Sequence, residues 1–272
     1  MSNSVADDLE SVRFLGLEPT EDRLLWKLPV SLGICGASGY LHGGCAIGAA
    51  TTVLEIVTGR RMAWINAQYI SRVQPGDEVD LCVDLRAEGN AMAQAAVTAT
   101  FEGRLVFAAT AGLGGRDIGV DASWATMPEV AEPEDCPRRR NDSRVDGSFT
   151  TVADIRVARA ELGNSNTVYW GRLPGTLATT PTGIAMLADL LPSGLRIALS
   201  SDMRGSSLDN TVRTAGTDPT EWLLIDIHVT GVGSGIGHGQ VRAFSQNGVL
   251  VGSASQSFAI TTVHGDLGTP LR

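Results

Sequence analysis

A histidine and two glycines, His42-Gly43-Gly44, open the stretch of the chain that is best suited to bind a reacting group. Glycine lets the backbone approach a ligand closely, and the run that follows, Cys45–Val57, is apolar on nearly every side, which predicts a buried helix. The first N–H groups of a helix have no intrahelical acceptor and lie at the positive end of its dipole. We therefore expect an exposed helix N-terminus that binds an anionic or carbonyl-like group.

The other residues that could do nucleophilic or metal chemistry are scattered along the chain. There are four cysteines and four histidines, with no Cys-x-x-Cys pair and no Cys-His set at zinc-binding spacing. Cys45 lies in the predicted buried helix, which is typical of a core thiol. His228 and His238 lack metal-ligand spacing and are expected on the surface or in strands. We expect no metal, no cofactor and reduced thiols, although an even number of cysteines leaves a disulfide open.

Charge and hydropathy exclude two further classes of protein. The 272-residue chain has a formal net charge of -9, and its longest basic run is Arg138–Arg140, which we interpret as a solvated turn with a phosphate contact as the alternative. Nucleic-acid binding is therefore not expected. No stretch reaches the roughly 20 apolar residues of a membrane-spanning helix, and the acidic segment Met1–Glu10 does not resemble a secretory signal. We expect a cytoplasmic protein with no membrane partner.

The elements around the predicted helix indicate an α+β fold. Alternating apolar residues separated by turn sequences predict strands on both sides of it. One helix followed by an antiparallel meander forms a two-layer unit. The predicted strands of this first unit are Arg23–Leu28, Met62–Ser71, Glu78–Leu85, Ala93–Phe101 and Leu105–Leu113.

The second half repeats this plan after a segment rich in Asp, Glu, Arg and Pro. Setting Glu102–Ala108 against Asn247–Ser253 gives an offset of 145 positions. We therefore predict a repeat over residues 1–113, a linker over 114–147 that lies on the surface, and a second repeat over 148–272. The second repeat is expected to contain a helix from Thr179-Thr180-Pro181 to Pro192, with Tyr169-Trp170-Gly171 in a connection before it. Its predicted strands are Thr150–Ala158, Arg196–Asp202, Leu208–Arg213, Trp222–Thr230, Gly239–Gln246 and Val249–Ile260.

A helix that begins at Gly-Gly and is followed by a curved antiparallel sheet, in a plan that occurs twice in one chain, resembles the acyl-CoA thioesterase II family. The resemblance runs from about Arg23 to Ile260 and implies a double hotdog, in which two long helices are wrapped by one continuous sheet. No single motif is diagnostic, and the likeness rests on their shared order and spacing. The segments that carry it are Gly43-Gly44, Arg72–Asp77, Glu102–Phe107, Thr126–Pro128, Ser207–Asp209, Glu221–Leu224 and Asn247–Gln256.

The resemblance also implies a site for the hydrolysis of acyl-CoA. Family members hold a water with an acid, a hydroxyl and an amide of the second repeat, which match Asp209, Thr230 and Gln256. A carboxylate can accept the proton of the water, while hydroxyl and amide groups fix its orientation. The N–H groups of Gly43 and Gly44 would then stabilise the developing oxyanion.

Two further side chains have open roles in this proposed site. His42 either orients the glycines or contacts acyl-CoA, or it is a hydrogen-bonded structural residue. Related hotdog enzymes carry an acid about nine residues further along the helix, where this chain has Thr51 and Thr52. Asp189 occupies roughly that position in the second repeat. It either supports the site or bonds to a neighbouring strand.

Departures from the family pattern leave alternatives for the activity. After Asp209 the chain continues with Asn210, where family members commonly have His and later an Arg-Pro pair. The alternatives are a non-catalytic protein that binds acyl-CoA or lipid, and an acyl-CoA hydratase or dehydratase. The resemblance implies acyl-CoA as the partner and fatty acid metabolism as the setting. We also expect a dimer of double hotdogs, because open sheet edges favour association.

Overall fold

A single twelve-stranded antiparallel sheet dominates the computed structural model, which describes residues 10–139 and 145–264. Residues 1–9 of the first predicted repeat, 265–272 of the second, and 140–144 of the predicted linker, including Arg140, lie outside the described residues. Strands of the first half are β1 (Glu18–Pro19), β2 (Leu25–Pro29), β3 (Met62–Tyr69), β4 (Glu78–Glu88), β5 (Met92–Phe101) and β6 (Arg104–Gly114). Strands of the second half are β7 (Asp154–Arg159), β8 (Asn166–Arg172), β9 (Asp202–Thr214), β10 (Trp222–Gly233), β11 (Ile236–Ser245) and β12 (Leu250–His264).

The strand order shows that the two halves are built on one plan. The order is β1-β2-β4-β5-β6-β3-β9-β12-β11-β10-β8-β7, so the second half repeats the first in reverse direction across the sheet. The halves join where β3 pairs with β9. Asn66 and Thr211 are direct partners in that joint and are 145 positions apart, which is the offset found from the sequence. The predicted α+β architecture, with two repeats in one continuous sheet, is therefore present.

The helix of the first half, α1 (Gly43–Thr58), is buried against the sheet as predicted. Its residues from Gly44 to Leu54 are all buried, because small and apolar side chains cover every face of this part of the helix. Gly59 follows in the left-handed conformation, which suits glycine and ends the helix. The 16-residue helix lies over β3, β5 and β6.

The second half has shorter helices, which are α2 (Phe149–Val152), α3 (Pro181–Leu187) and α4 (Leu191–Ala198). Thr180 accepts a hydrogen bond from the Gly183 amide and caps α3, as its sequence predicts. A new helix with Pro192 in its first turn then begins. The predicted strand at Arg196–Asp202 is wrong, because Leu191, Leu195 and Ala198 place an apolar face at helical spacing against the sheet.

Two other assignments in the second half are also corrected. Residues Tyr169-Trp170-Gly171 are not in a connection but in strand β8, which is buried on both faces. The residues 125–130 cover its outer face, where Met127 and Val130 pack on a cluster that contains Trp170. The predicted strand Thr150–Ala158 begins instead as α2 and becomes extended only at Asp154. The exact boundaries of the repeats and linker stay predictions.

Candidate active site

The N-terminus of α1 meets the end of α3 at the centre of the molecule. Thr52 hydrogen-bonds Thr182 at 2.8 Å, while Gly44 lies against Met186 and Asp189, so the two helices run antiparallel. A Cβ at Gly44 would collide with the Met186 carbonyl oxygen and lie 3.0 Å from the Asp189 Cβ. A Cβ at Gly43 would lie 2.8 Å from the Asp189 carboxylate. The glycines therefore allow two helices to approach, which is a reason for them that the sequence did not show.

Asp189 closes the N-terminus of α1. The Gly44 amide donates to Asp189 Oδ2 at 2.7 Å, and the Asp189 side chain is only 3% exposed. The carboxylate satisfies an amide that has no intrahelical acceptor and lies at the positive end of the helix dipole. The expectation of an exposed helix N-terminus is therefore wrong at Gly44, because the acid that follows α3 binds its amide.

Gln256 and Ser207 complete a hydrogen-bonded cluster on the same carboxylate. Gln256 Nε2 donates to Asp189 Oδ1 and also to Ser207 Oγ, at 2.8 Å in the latter case. Ser207 Oγ donates to Asp189 Oδ1 at 3.3 Å. Both donor positions of the Gln256 amide are thus used, and its buried Oε1 has no hydrogen-bond partner in the described part of the chain. The two bonded N–H groups therefore fix the orientation of the amide, and Oε1 is its free acceptor.

His42 lies beside this cluster, with its side chain 12% exposed. Its Nε2 is 3.5 Å from Asp189 Oδ2, and the ring stacks on Phe149 with centroids 4.7 Å apart. Burial lowers the pKa of His42 below its ordinary value, Asp189 opposes this effect, and Arg139 adds to it. Within residues 10–139 and 145–264, His42 Nδ1 has no partner. His42 is therefore unprotonated at neutral pH and cannot act as a cation there.

Asp209 lies on β9, beside an irregularity in its pairing with β12. It is half-buried, and its Oδ1 accepts the Ser257 amide at 2.7 Å. Next to it, Asn210 is the cross-strand partner of Gln256. Burial raises the pKa of Tyr69 well above its usual range, and the Asp189 and Asp209 carboxylates add to this effect. Tyr69 donates its hydroxyl to the Gly43 carbonyl at 2.9 Å.

Thr230 is placed further away than the other two residues of the predicted trio. It is exposed on β10, at the bulge between Val229 and Gly231. Val229 pairs with Gly239 on β11, which in turn pairs with Gln256 on β12. Two strand spacings, about 9.5 Å, therefore separate the backbones of β10 and β12.

Family profiles match both halves of the chain. The profile described as acyl-CoA thioesterase N-terminal domain matches residues 35–114, and the one described as acyl-CoA thioesterase C-terminal domain matches residues 130–260. The chain belongs to the acyl-CoA thioesterase family. It is an enzyme of the acyl-CoA thioesterase class, and the family predicted from the sequence is confirmed. No individual curated protein matches it.

Solved structures confirm the double hotdog fold of this thioesterase. A putative thioesterase from Novosphingobium aromaticivorans is 28% identical with a TM-score of 0.81, and the match covers 90% of this chain and 98% of the other. A hotdog-fold protein of unknown function from Alicyclobacillus acidocaldarius is 17% identical with a TM-score of 0.80, covering 93% and 98%. The acyl-CoA thioesterase II TesB2 of Mycobacterium marinum is 17% identical with a TM-score of 0.74, covering 94% and 99%.

Three residues of the candidate site were not selected from the sequence. Ser207 lies two positions before Asp209, Tyr69 ends β3, and Asn210 was noted only as a departure from the family. The two β9 residues, Ser207 and Asn210, could have been selected from the sequence, because polar residues in a strand that crosses the core need hydrogen-bond partners there.

In the part of the chain that the structure describes, no helix is long and apolar enough to span a membrane.

Proposed function

We propose that the enzyme hydrolyses acyl-CoA thioesters with a water molecule held by Asp209, Thr230 and Gln256. The observation that carries this proposal is the orientation of Gln256. Its N–H groups are used by Asp189 and Ser207, so its unpartnered Oε1 is available to accept a hydrogen bond from the water. A fixed acceptor lowers the entropy that the attacking water must lose.

In the proposed reaction the carboxylate of Asp209 is the general base. The water oxygen forms a bond to the thioester carbon while one of its protons passes to Asp209. The tetrahedral oxyanion then collapses, the C–S bond breaks, and the proton passes to the CoA thiolate. Thiolate is a good leaving group, so this reaction needs little acid assistance. The free acid and CoA are the products.

The two glycines at the N-terminus of α1 have different roles in this proposal. Gly43 is the first residue of α1, so its N–H has no intrahelical acceptor and is suited to the oxyanion. The Gly44 N–H is committed to Asp189, and its role is therefore to hold the acid that orients Gln256. His42, which is neutral, would contact acyl-CoA rather than attract its phosphates.

Thiol release from acyl-CoAs of graded chain length tests the function, using the wild type, Asp209→Asn and Asp84→Asn. Removing a general base should lower kcat about 100- to 10,000-fold. Asp84 is an exposed strand acid whose neutralisation should leave kcat unchanged. No release by the wild type from any acyl-CoA would refute the proposal, and ligand-induced stabilisation without release would support binding alone. Addition of water to an enoyl-CoA without release of thiol would support a hydratase.

Thr230→Val, paired with Thr262→Val, tests the most distant member of the trio. Both threonines are exposed on strands of the second half, so neither substitution should affect folding. If Thr230 orients the water, only its variant should lose activity. Equal activity of both variants would remove Thr230 from the site while leaving Asp209 and Gln256 in it. The fatty-acid pathway, the cytoplasmic location and the dimer stay predictions.

A further inference from the structure

Asn210 is a buried strand residue whose side chain has unused hydrogen-bonding capacity. Its exposed fraction is 0%, and neither Oδ1 nor Nδ2 has a partner among the described residues. Burying an amide without hydrogen bonds disfavours folding. Native proteins rarely keep such a group unless it binds something or serves the chemistry.

The position of Asn210 in the sheet directs its side chain to the proposed site. It is the direct cross-strand partner of Gln256, and such partners lie on the same face with Cβ atoms about 4.5–5.5 Å apart. Gln256 extends to Asp189, which lies between the helices. Asn210 therefore faces the helices too. Its partner on the other side is Ala67, which offers no polar side-chain atom.

The two neighbouring amides have complementary free atoms. Gln256 has an unused acceptor, Oε1, while Asn210 has an unused donor, Nδ2, as well as an acceptor. The proposed hydrolysis, on which this inference rests, needs an acceptor for the water and donors for the carbonyl oxygen. The Gly44 amide does not serve as that donor here, because it binds Asp189 at 2.7 Å.

We infer that Asn210 is a catalytic residue that donates a hydrogen bond from Nδ2 to the carbonyl oxygen of the bound thioester. The neighbouring Gln256 Oε1 receives the attacking water, so adjacent residues of β9 and β12 hold the two reacting groups side by side. Both amides are buried, and the acyl group therefore reaches them after the side chains that cover them move.

Asn210→Leu tests this role, because leucine has the same branched shape with four side-chain heavy atoms and no donor. We expect kcat for thiol release to fall about 100- to 1,000-fold, and KM to rise by no more than about 3- to 10-fold, because one hydrogen bond to the bound substrate is lost. The melting temperature should stay equal or rise, because the variant removes an unsatisfied buried amide. Asn66→Ala is the matched control on the adjacent strand. Asn66 has a bonded partner, Thr211, at 2.7 Å, so its loss should lower the melting temperature and leave kcat unchanged.

The binding affinities of two CoA analogues test the hydrogen bond from Asn210 without turnover. One is a ketone in which methylene replaces sulfur, and the other is a thioether in which methylene replaces the carbonyl. The wild type should bind the ketone more tightly, and Asn210→Leu should reduce that preference about 3- to 10-fold. An unchanged preference, or no binding of either analogue to the wild type, would overturn the inference. A wild type that releases no thiol refutes the proposed hydrolysis, whereas the inference about Asn210 is then decided by the analogues alone.

Discussion

Replacement of Asp189 by alanine should destabilise the protein and disorder its site together. The carboxylate accepts hydrogen bonds from the Gly44 amide at 2.7 Å, from Ser207 at 3.3 Å and from Gln256. It also lies at the positive end of α1. Removing a buried acceptor leaves its donors unsatisfied, and each such donor costs about 1–3 kcal/mol.

The magnitude depends on which donors find another partner. Ser207 and Gln256 are already bonded to each other at 2.8 Å, so part of the cluster survives the substitution. The Gly44 amide has no such replacement, and the second N–H of Gln256 is also lost. Two orphaned donors at about 1–3 kcal/mol each predict a loss of about 2–6 kcal/mol, which is a large fraction of the roughly 5–15 kcal/mol that stabilises a typical protein.

Urea denaturation of the wild type, Asp189→Ala, Asp189→Asn and Asp84→Ala measures this difference. Asp189→Asn should lower the free energy of unfolding by about 1–3 kcal/mol, which is less than the loss for Asp189→Ala. The asparagine oxygen still accepts one hydrogen bond, while its NH₂ group faces another donor. Asp84→Ala should change the free energy of unfolding by less than about 0.5 kcal/mol, since Asp84 is exposed. A loss below about 1 kcal/mol for Asp189→Ala would refute the reasoning. Thiol release should also fall in Asp189→Ala, because Gln256 loses the partner that orients it.

Two further predictions concern the same junction. Gly44→Ala should lower the free energy of unfolding by about 1–3 kcal/mol, because its Cβ would collide with Met186 and push α1 away from α3. Urea denaturation measures this loss, with Gly115→Ala as the control because a Cβ there meets nothing within 4 Å. Equal effects of the two substitutions would contradict the prediction. His42 is largely enclosed, and its pKa lies below its ordinary value, so the unfolded chain binds the proton more readily and stability should fall as the pH drops below about 6.5. His42→Leu should therefore lose less stability than the wild type between about pH 7 and pH 5, whereas exposed His238→Leu should not differ from it, and identical pH slopes in all three proteins would count against this account.

The sequence predictions succeeded where the environment of an element follows from its own residues. The apolar faces of α1 predicted its burial, and Gly59 ends it in a conformation that glycine adopts easily. The prediction of an exposed helix N-terminus failed at Gly44. Whether the Gly44 amide is exposed depends on Asp189, which lies 145 positions away in sequence.

The amino-acid sequence by itself determined the fold class, the repeat, most strands and the family. These features depend on local periodicity, on turn residues and on the order of segments, all of which can be found without knowing the contacts. The structure separates the Asn66–Thr211 pair at the joint between the halves by the same 145 positions.

Only the tertiary structure decided what surrounds each polar group of the site. It placed Asp189 against Gly44 and Gln256, left Asn210 without a partner, and put Thr230 two strands from Gln256. The same dependence explains α4 and β8, whose short sequences form a helix and a strand because of the sheet and the linker packed against them. Local patterns determine which element a segment favours, whereas burial and hydrogen-bond partners depend on residues that are distant in the chain.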